Sequence, residues 1–179
     1  MRIIGGEFGG RRFNPPAKNW PTRPTTDISK EGLYNILQNR IDFEDCVMLD
    51  LFGGTGNHCY EFISRGCTDA TYVDKFPGCV AFVQKTAAEL GIEDRIQIHK
   101  MDVFKYIETC SRKYDFIFAG PPYPLINLNT IPDKIFHKGI LNEGGIFVLE
   151  HNPQHSFKHM TQFKEERVYG TTIFSFFIG

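Results

Sequence analysis

Long apolar runs are missing: nothing in this 179-residue chain approaches the roughly 20 residues that a membrane helix requires. The opening segment, MRIIGGEFGGRRF, lacks the apolar core of a secretory signal, so a cytosolic location is the default expectation. Paired cysteine motifs are missing too. Cys46, Cys59, Cys67, Cys79 and Cys110 form no C-x-x-C and are odd in number. That argues against a disulfide framework or zinc cage, and for reduced, mostly buried thiols. No repeat, low-complexity tract or long linker divides the chain. What remains is 41% hydrophobic and 23% charged, the balance of a soluble globular protein of one α/β unit.

The net charge of -1 hides an asymmetry. Residues 1–24 carry Arg2, Arg11, Arg12, Lys18 and Arg23 against Glu7 alone, while the remainder is acidic. A basic segment on a mildly acidic body suits contact with a polyanion, although a solvated surface arm would read the same way.

Glycines at 5, 6, 9 and 10 among Ile3, Ile4, Phe8 and Phe13 predict a tight hairpin over residues 1–13. NPPAKNWPTRPTTD reads as a loop, with Thr26 or Asp27 capping a helix whose apolar spacing runs through Ile28, Leu33, Ile36 and Leu37. From Cys46 strands and helices alternate. Strands are expected at 47–51, 70–73, 95–99, 114–119 and 146–150. Helices are expected from the glycine turn to Arg65, at 76–90 and at 103–110, with a broken helical stretch at 131–140. Such alternation implies βαβ units and a mostly parallel sheet. Glu166–Tyr169 and Ile173–Phe177, facing each other across Gly170-Thr171-Thr172, predict a closing antiparallel hairpin. The expected organisation is an N-terminal extension at 1–40 on a main domain at 41–179.

The first strand and turn read Leu49-Asp50-Leu51-Phe52-Gly53-Gly54-Thr55-Gly56, where open α/β sheets bind ligands. A dinucleotide fingerprint is incomplete, since its third glycine is Cys59, and no P-loop lysine follows. Three acids instead stand at three successive strand ends: Asp50, Asp74 and Asp102. Like charges repel, so this set disfavours a pyrophosphate. It suits S-adenosylmethionine, whose ammonium, ribose hydroxyls and adenine amine each welcome a carboxylate. Phe52, Gly53, Gly54, Gly56, Lys75 and Val103 complete the expected cofactor-binding set. For Asp74 and Asp102 alone, capping of the next helix is the competing reading.

The fourth strand runs into Gly120-Pro121-Pro122-Tyr123. Two prolines fix the backbone and leave carbonyls free for an exocyclic amine, and the tyrosine offers a ring for a flipped base. These four are the expected catalytic residues. Methyltransferases that act on base exocyclic nitrogens carry Asp/Asn-Pro-Pro-Tyr/Phe at this strand end.

Along nearly its full length the chain resembles the RsmD family of 16S ribosomal RNA guanine-N2 methyltransferases. The matching stretches are Met1–Gly6 with Gly10-Arg11-Arg12, Thr22–Asp27, Lys30–Leu37, Asp50–Gly56, Glu61 with Ser64-Arg65-Gly66, Gly120–Tyr123 and Tyr169–Thr172. The resemblance implies a Rossmann-like class I methyltransferase, α/β with a seven-stranded, mostly parallel sheet. It implies S-adenosylmethionine as donor and an Arg-Pro-Thr loop lying over the active site. Arg2, Arg11, Arg12, Arg23 and Thr25 would then contact RNA. The expected partner is 16S rRNA or a small-subunit particle, with the protein a monomer and no membrane involved.

Gly120 departs from the family's Asp. That acid would take a hydrogen bond from the target amine, and losing such a group typically costs on the order of 10²–10³ in rate. A backbone carbonyl, a water or Glu150 on the next strand would have to stand in. Two rivals follow: a DNA adenine-N6 methyltransferase, and a non-catalytic RNA-binding or ribosome-assembly protein on the same fold. His151, His155 and His159 lack an HExxH pattern, so no metal is expected. His58 reads as a first-turn helix residue, Trp20 as a pin for its loop, and Phe174, Phe176 and Phe177 as core strand.

Overall fold

Alternating apolar strands and one-faced helices build a single seven-stranded sheet with helices on both sides. The computed structural model describes residues 1–16, 20–21 and 25–179. Helix α1 (Asp27–Leu37) precedes β1 (Val47–Leu51), α2 (Asn57–Ser64), β2 (Asp69–Asp74), α3 (Pro77–Leu90), β3 (Ile96–Lys100), α4 (Val103–Thr109) and β4 (Tyr114–Ala119). A one-turn 3-10 helix (Leu128–Thr130), α5 (Ile131–Lys138), β5 (Leu141–His151), β6 (Phe163–Tyr169) and β7 (Thr172–Ile178) complete it. The strand order is β3-β2-β1-β4-β5-β7-β6. Pairings from β3 to β5 are parallel, and β7 is antiparallel to both its neighbours.

Successive strand residues point to opposite faces, which splits the core in two. Met48, Phe116 and Phe118 join Leu33, Tyr34 and Phe62 on one side. Leu49, Ile117 and Ala119 join Ile107, Ile131 and Ile135 on the other. All five cysteines are buried and free, and Phe174, Phe176 and Phe177 are buried in β7. Glycine at C-terminal helix ends marks the expected stops, as at Gly91 in the left-handed region after α3. No helix among the described residues is long and apolar enough to cross a membrane.

Several boundaries differ from expectation. The N-terminal hairpin is one antiparallel bridge, Arg2 to Arg12, rather than a ladder of strands. Ile3, Gly10 and Phe13 donate across the turn, to Arg11, Ile3 and Met1, while the amides between them bond to α2: Ile4 and Gly5 donate to the Glu61 carboxylate, and Glu7 donates to the Ser64 carbonyl. Gly6 has no room for a side chain there, since a Cβ would sit 1.9 Å from that carbonyl oxygen. In α1, Thr26 is the cap and accepts from the Ser29 amide, but Ile28 is 78% exposed. The buried stripe runs instead through Lys30, Leu33, Tyr34 and Leu37. Helix α5 stops at Lys138 because Gly139 turns left-handed (φ 71°). Strand β5 begins five residues earlier than its apolar run, carried by pairing of Leu141 with Tyr114.

The extension is not a loose arm. Lys30 reaches through the interior with no exposed side-chain surface, and its ammonium lies 2.9 Å from Glu61. It also donates to the Arg2 carbonyl (2.8 Å) and to Asn57 Oδ1 (2.7 Å). Glu61 receives Arg65 as well, at 2.9 Å. Buried charges persist only when paired and hydrogen-bonded in this way. Much of the motif that links residues 1–6, 30 and 61–66 thus serves to fasten the first segment to α2.

Candidate active site

The order of strands reverses between β1 and β4, and loops diverge there to leave a cleft at their carboxyl ends. The cleft encloses about 1030 Å³, solvent at its mouth included. The register sets its walls. Leu51 pairs with Val73 on one side and Ala119 on the other, and Ala119 pairs with Leu149. Asp74, Phe52, Gly120 and Glu150 therefore come next at the ends of four adjacent strands, β2, β1, β4 and β5.

On the β1–β2 side, Asp50, Phe52, Gly53, Gly54, Asp74, Lys75, Asp102 and Val103 all line the cleft. Gly56 does not. It is the left-handed N-cap of α2 (φ 83°) and packs against Tyr60. Phe52 is held at φ 58°, an uncommon conformation for a non-glycine residue and one that clusters at functional sites. Asp74 accepts from the Gly54 amide (2.9 Å) and the Phe76 amide (2.9 Å), which fixes the glycine turn. Asp102 does cap α4, accepting from the Lys105 amide, while still facing the cleft. Asp50 is 1% exposed. Burial pushes its carboxyl up to about 8, against a weak opposing hydrogen bond from the Cys59 thiol at 3.6 Å; the charge of Asp74 pushes the same way.

Asn57 escaped the sequence reading. It lines the same wall, and its Nδ2 is buried with no hydrogen-bond partner among the described residues. Buried donors are normally satisfied, so an unpaired one on a cleft-lining residue suits a ligand acceptor.

The opposite wall holds Gly120, Pro122, Phe118 and Glu150. Pro121 is buried, and Tyr123 stands behind the wall, its hydroxyl 3.5 Å from Glu150 Oε1 and 3.4 Å from Thr172 Oγ1. Glu150 is 4% exposed. The Thr25 hydroxyl donates to its Oε2 (2.7 Å), and Thr25 Oγ1 lies 3.1 Å from His58 Nε2. His58 Nδ1 lies 3.1 Å from the Tyr34 hydroxyl. Burial, reinforced by the Lys30 charge, holds the His58 imidazole well below its usual basicity, so it is neutral. One donor order satisfies every atom: Tyr34 to His58 Nδ1, His58 Nε2 to Thr25, Thr25 to Glu150. The His58 ring also packs against Phe118 at 3.8 Å between centroids. His58 is thus a first-turn residue of α2, as expected, and also a strut of the cleft.

Thr25 faces into the cleft, 9% exposed, rather than outward with the arginines. Arg11 and Arg12 are exposed, and Arg2 pairs with Asp27 at 3.6 Å. Arg23 falls outside the described residues. Trp20 packs edge-on against Phe76 (5.7 Å) and Phe82 (6.1 Å), beside the start of α3. Among the described residues no group of three or more His, Cys, Asp or Glu is placed to hold a metal.

The fold is shared with solved methyltransferases, among them an RNA methyltransferase from Salinibacter ruber in complex with S-adenosyl-L-homocysteine, which superposes with a TM-score of 0.63 at 18% identity over 87% of this chain and 93% of that one. The chain belongs to the family described as conserved hypothetical protein 95, whose model matches residues 1–178. It is 30% identical over 155 residues to the putative rRNA methyltransferase YlbH of Bacillus subtilis, covering 85% of this chain and 83% of that protein. It is 28% identical over 127 residues to ribosomal RNA small subunit methyltransferase D of Haemophilus influenzae, covering 69% and 64% respectively. The solved structure of the putative methyltransferase yhhF from Escherichia coli superposes with a TM-score of 0.85 at 23% identity, over 99% of this chain and 97% of that one.

Proposed function

We propose that this protein transfers a methyl group from S-adenosylmethionine to the exocyclic N2 of a guanine in small-subunit ribosomal RNA. One observation carries the reading. A cleft at the switch point joins a wall of acids and glycines to a wall of Gly120, Pro122 and Glu150, in a family whose relatives include named rRNA methyltransferases.

The cofactor supplies a sulfonium-activated methyl; as the new N–C bond forms, the S–C electron pair stays on sulfur. Asp50 suits the cofactor's ammonium and Asn57 Nδ2 its carboxylate. Asp74 and Asp102 suit ribose hydroxyls and an adenine amine. Gly53 and Gly54 leave backbone close to the ligand. On the other wall Pro121 and Pro122 hold the segment rigid beside the base, and Tyr123 backs it. Holding amine and methyl in line is itself a large part of such catalysis. Arg2, Arg11, Arg12 and Arg23 would meet RNA phosphates, which give affinity and register rather than sequence choice.

The test is transfer of labelled methyl to unmethylated 30S particles, free 16S RNA and adenine-containing duplex DNA. Label on RNA guanine supports the reading. Label on DNA adenine, or RNA binding without any transfer, replaces it with one of the rivals.

A further inference from the structure

We infer that Glu150 is the group that accepts the target amine's N–H during methyl transfer, in place of any side chain at position 120; this rests on the function proposed above. The chemistry demands an acceptor. An exocyclic amine shares its lone pair with the base ring and gains positive charge as it is methylated. A negative group bonded to its N–H directs the lone pair and stabilises that charge, and then takes the proton that nitrogen must release.

At the base-facing end of the cleft, Glu150 is the carboxylate that meets these terms. Gly120 offers no side chain, and register puts Glu150 beside it. A Cβ built at Gly120 would lie 3.7 Å from Glu150 Oε2. The Glu150 carboxylate thus occupies the neighbourhood that an aspartate at position 120 would reach. It is buried yet faces the cleft. Thr25, itself braced by His58 and Tyr34, fixes its orientation at Oε2.

The proposal predicts a particular pattern of coupling between positions 120 and 150. Glu150→Ala should lower kcat by on the order of 10²–10³, with KM for RNA and affinity for S-adenosylhomocysteine changed by less than about threefold. Gly120→Asp alone should not raise kcat. It sets two carboxylates side by side and asks the Phe118 ring, 3.0 Å from the new Cβ, to give way. Gly120→Asp with Glu150→Ala should regain roughly tenfold or more over Glu150→Ala, because the new acid takes the vacated place. Thr25→Val reports a purely structural role, since Gly120→Asp should not rescue it. Glu150→Gln keeps the shape and one weaker acceptor; it should fold, by melting and S-adenosylhomocysteine binding, and retain intermediate kcat.

An active unaltered protein whose Glu150→Ala and Glu150→Gln variants keep kcat within about threefold overturns the inference and leaves the function standing. So does a double variant no better than Glu150→Ala. No transfer by the unaltered protein to any substrate removes the function, and the inference with it.

Discussion

Replacing Glu61 with alanine should cost this protein about 3–5 kcal/mol, although Glu61 touches no part of the cleft. The carboxylate has four partners: the Ile4 amide at 2.8 Å, the Gly5 amide at 2.9 Å, Lys30 at 2.9 Å and Arg65 at 2.9 Å. Neither Glu61 nor Lys30 exposes any side-chain surface. Without Glu61 the Lys30 ammonium stays buried with only a carbonyl and an amide oxygen to meet it. With a chain of this size, such a loss lowers Tm by about 10 °C. The pH dependence follows from sign. Burial pushes Glu61 up, but Lys30 and the Ile4 and Gly5 amides outweigh it and leave the carboxyl below its usual value. A depressed acid stabilises above its unfolded pKa and loses that stability as pH falls through the folded one. The unaltered protein should therefore weaken below about pH 4.5, and Glu61→Gln should lack that acid limb. Urea denaturation of Glu61→Ala, Glu61→Gln and Lys30→Met/Glu61→Gln is the assay. The double variant should recover much of the loss, since no buried charge is stranded. A cost under about 1 kcal/mol for Glu61→Ala, or a double variant no better than Glu61→Gln, would refute the reasoning.

Cofactor affinity should rise with pH up to about 8, because Asp50 must lose its proton to meet an ammonium. It should decline again as the cofactor's own amine, with pKa about 7.7–8.0, deprotonates. Calorimetry across pH checks this, and a rising limb that survives in Asp50→Asn contradicts it. Gly56→Ala should destabilise by more than about 2 kcal/mol, since left-handed backbone alone costs about 1–2. The new Cβ would also meet the Tyr60 ring at 2.6 Å; a melting curve unchanged from the parent refutes this. Removing Arg11 and Arg12 should weaken RNA binding at low salt and flatten its salt dependence, by roughly 0.7–0.9 per lost phosphate contact. A salt titration with parallel slopes would take these residues out of the interface.

Local signals carried the body of the fold. Apolar runs such as Val47–Leu51 and Tyr114–Ala119 match their strands residue for residue, and Gly91 stops α3 where a left-handed cap is needed. Local spacing misleads where a distant partner decides. Ile28 has the spacing of a core residue but is exposed, while Lys30 is buried because Glu61, far along the chain, neutralises it. The turn of residues 1–13 gives the amides of Ile4, Gly5, Glu7 and Phe8 to α2, which no local pattern announces.

The same holds at the site. Asp50, Asp74 and Asp102 are legible because each lies at or just past the end of a strand, in order. Glu150 could be named from its place on the strand after Gly120, and Thr25 from its loop, but their convergence with His58 from three remote segments could not. Asn57 gave no signal at all, since a first-turn asparagine reads as ordinary helix chemistry.

The central claim is best tested by incubating the unaltered protein with unmethylated 30S particles and trideuterated-methyl S-adenosylmethionine, then digesting the RNA to nucleosides for mass spectrometry. The account predicts deuterated N2-methylguanosine from a single position. Deuterated N6-methyladenosine, or no labelled nucleoside from either particles or free 16S RNA, would contradict it.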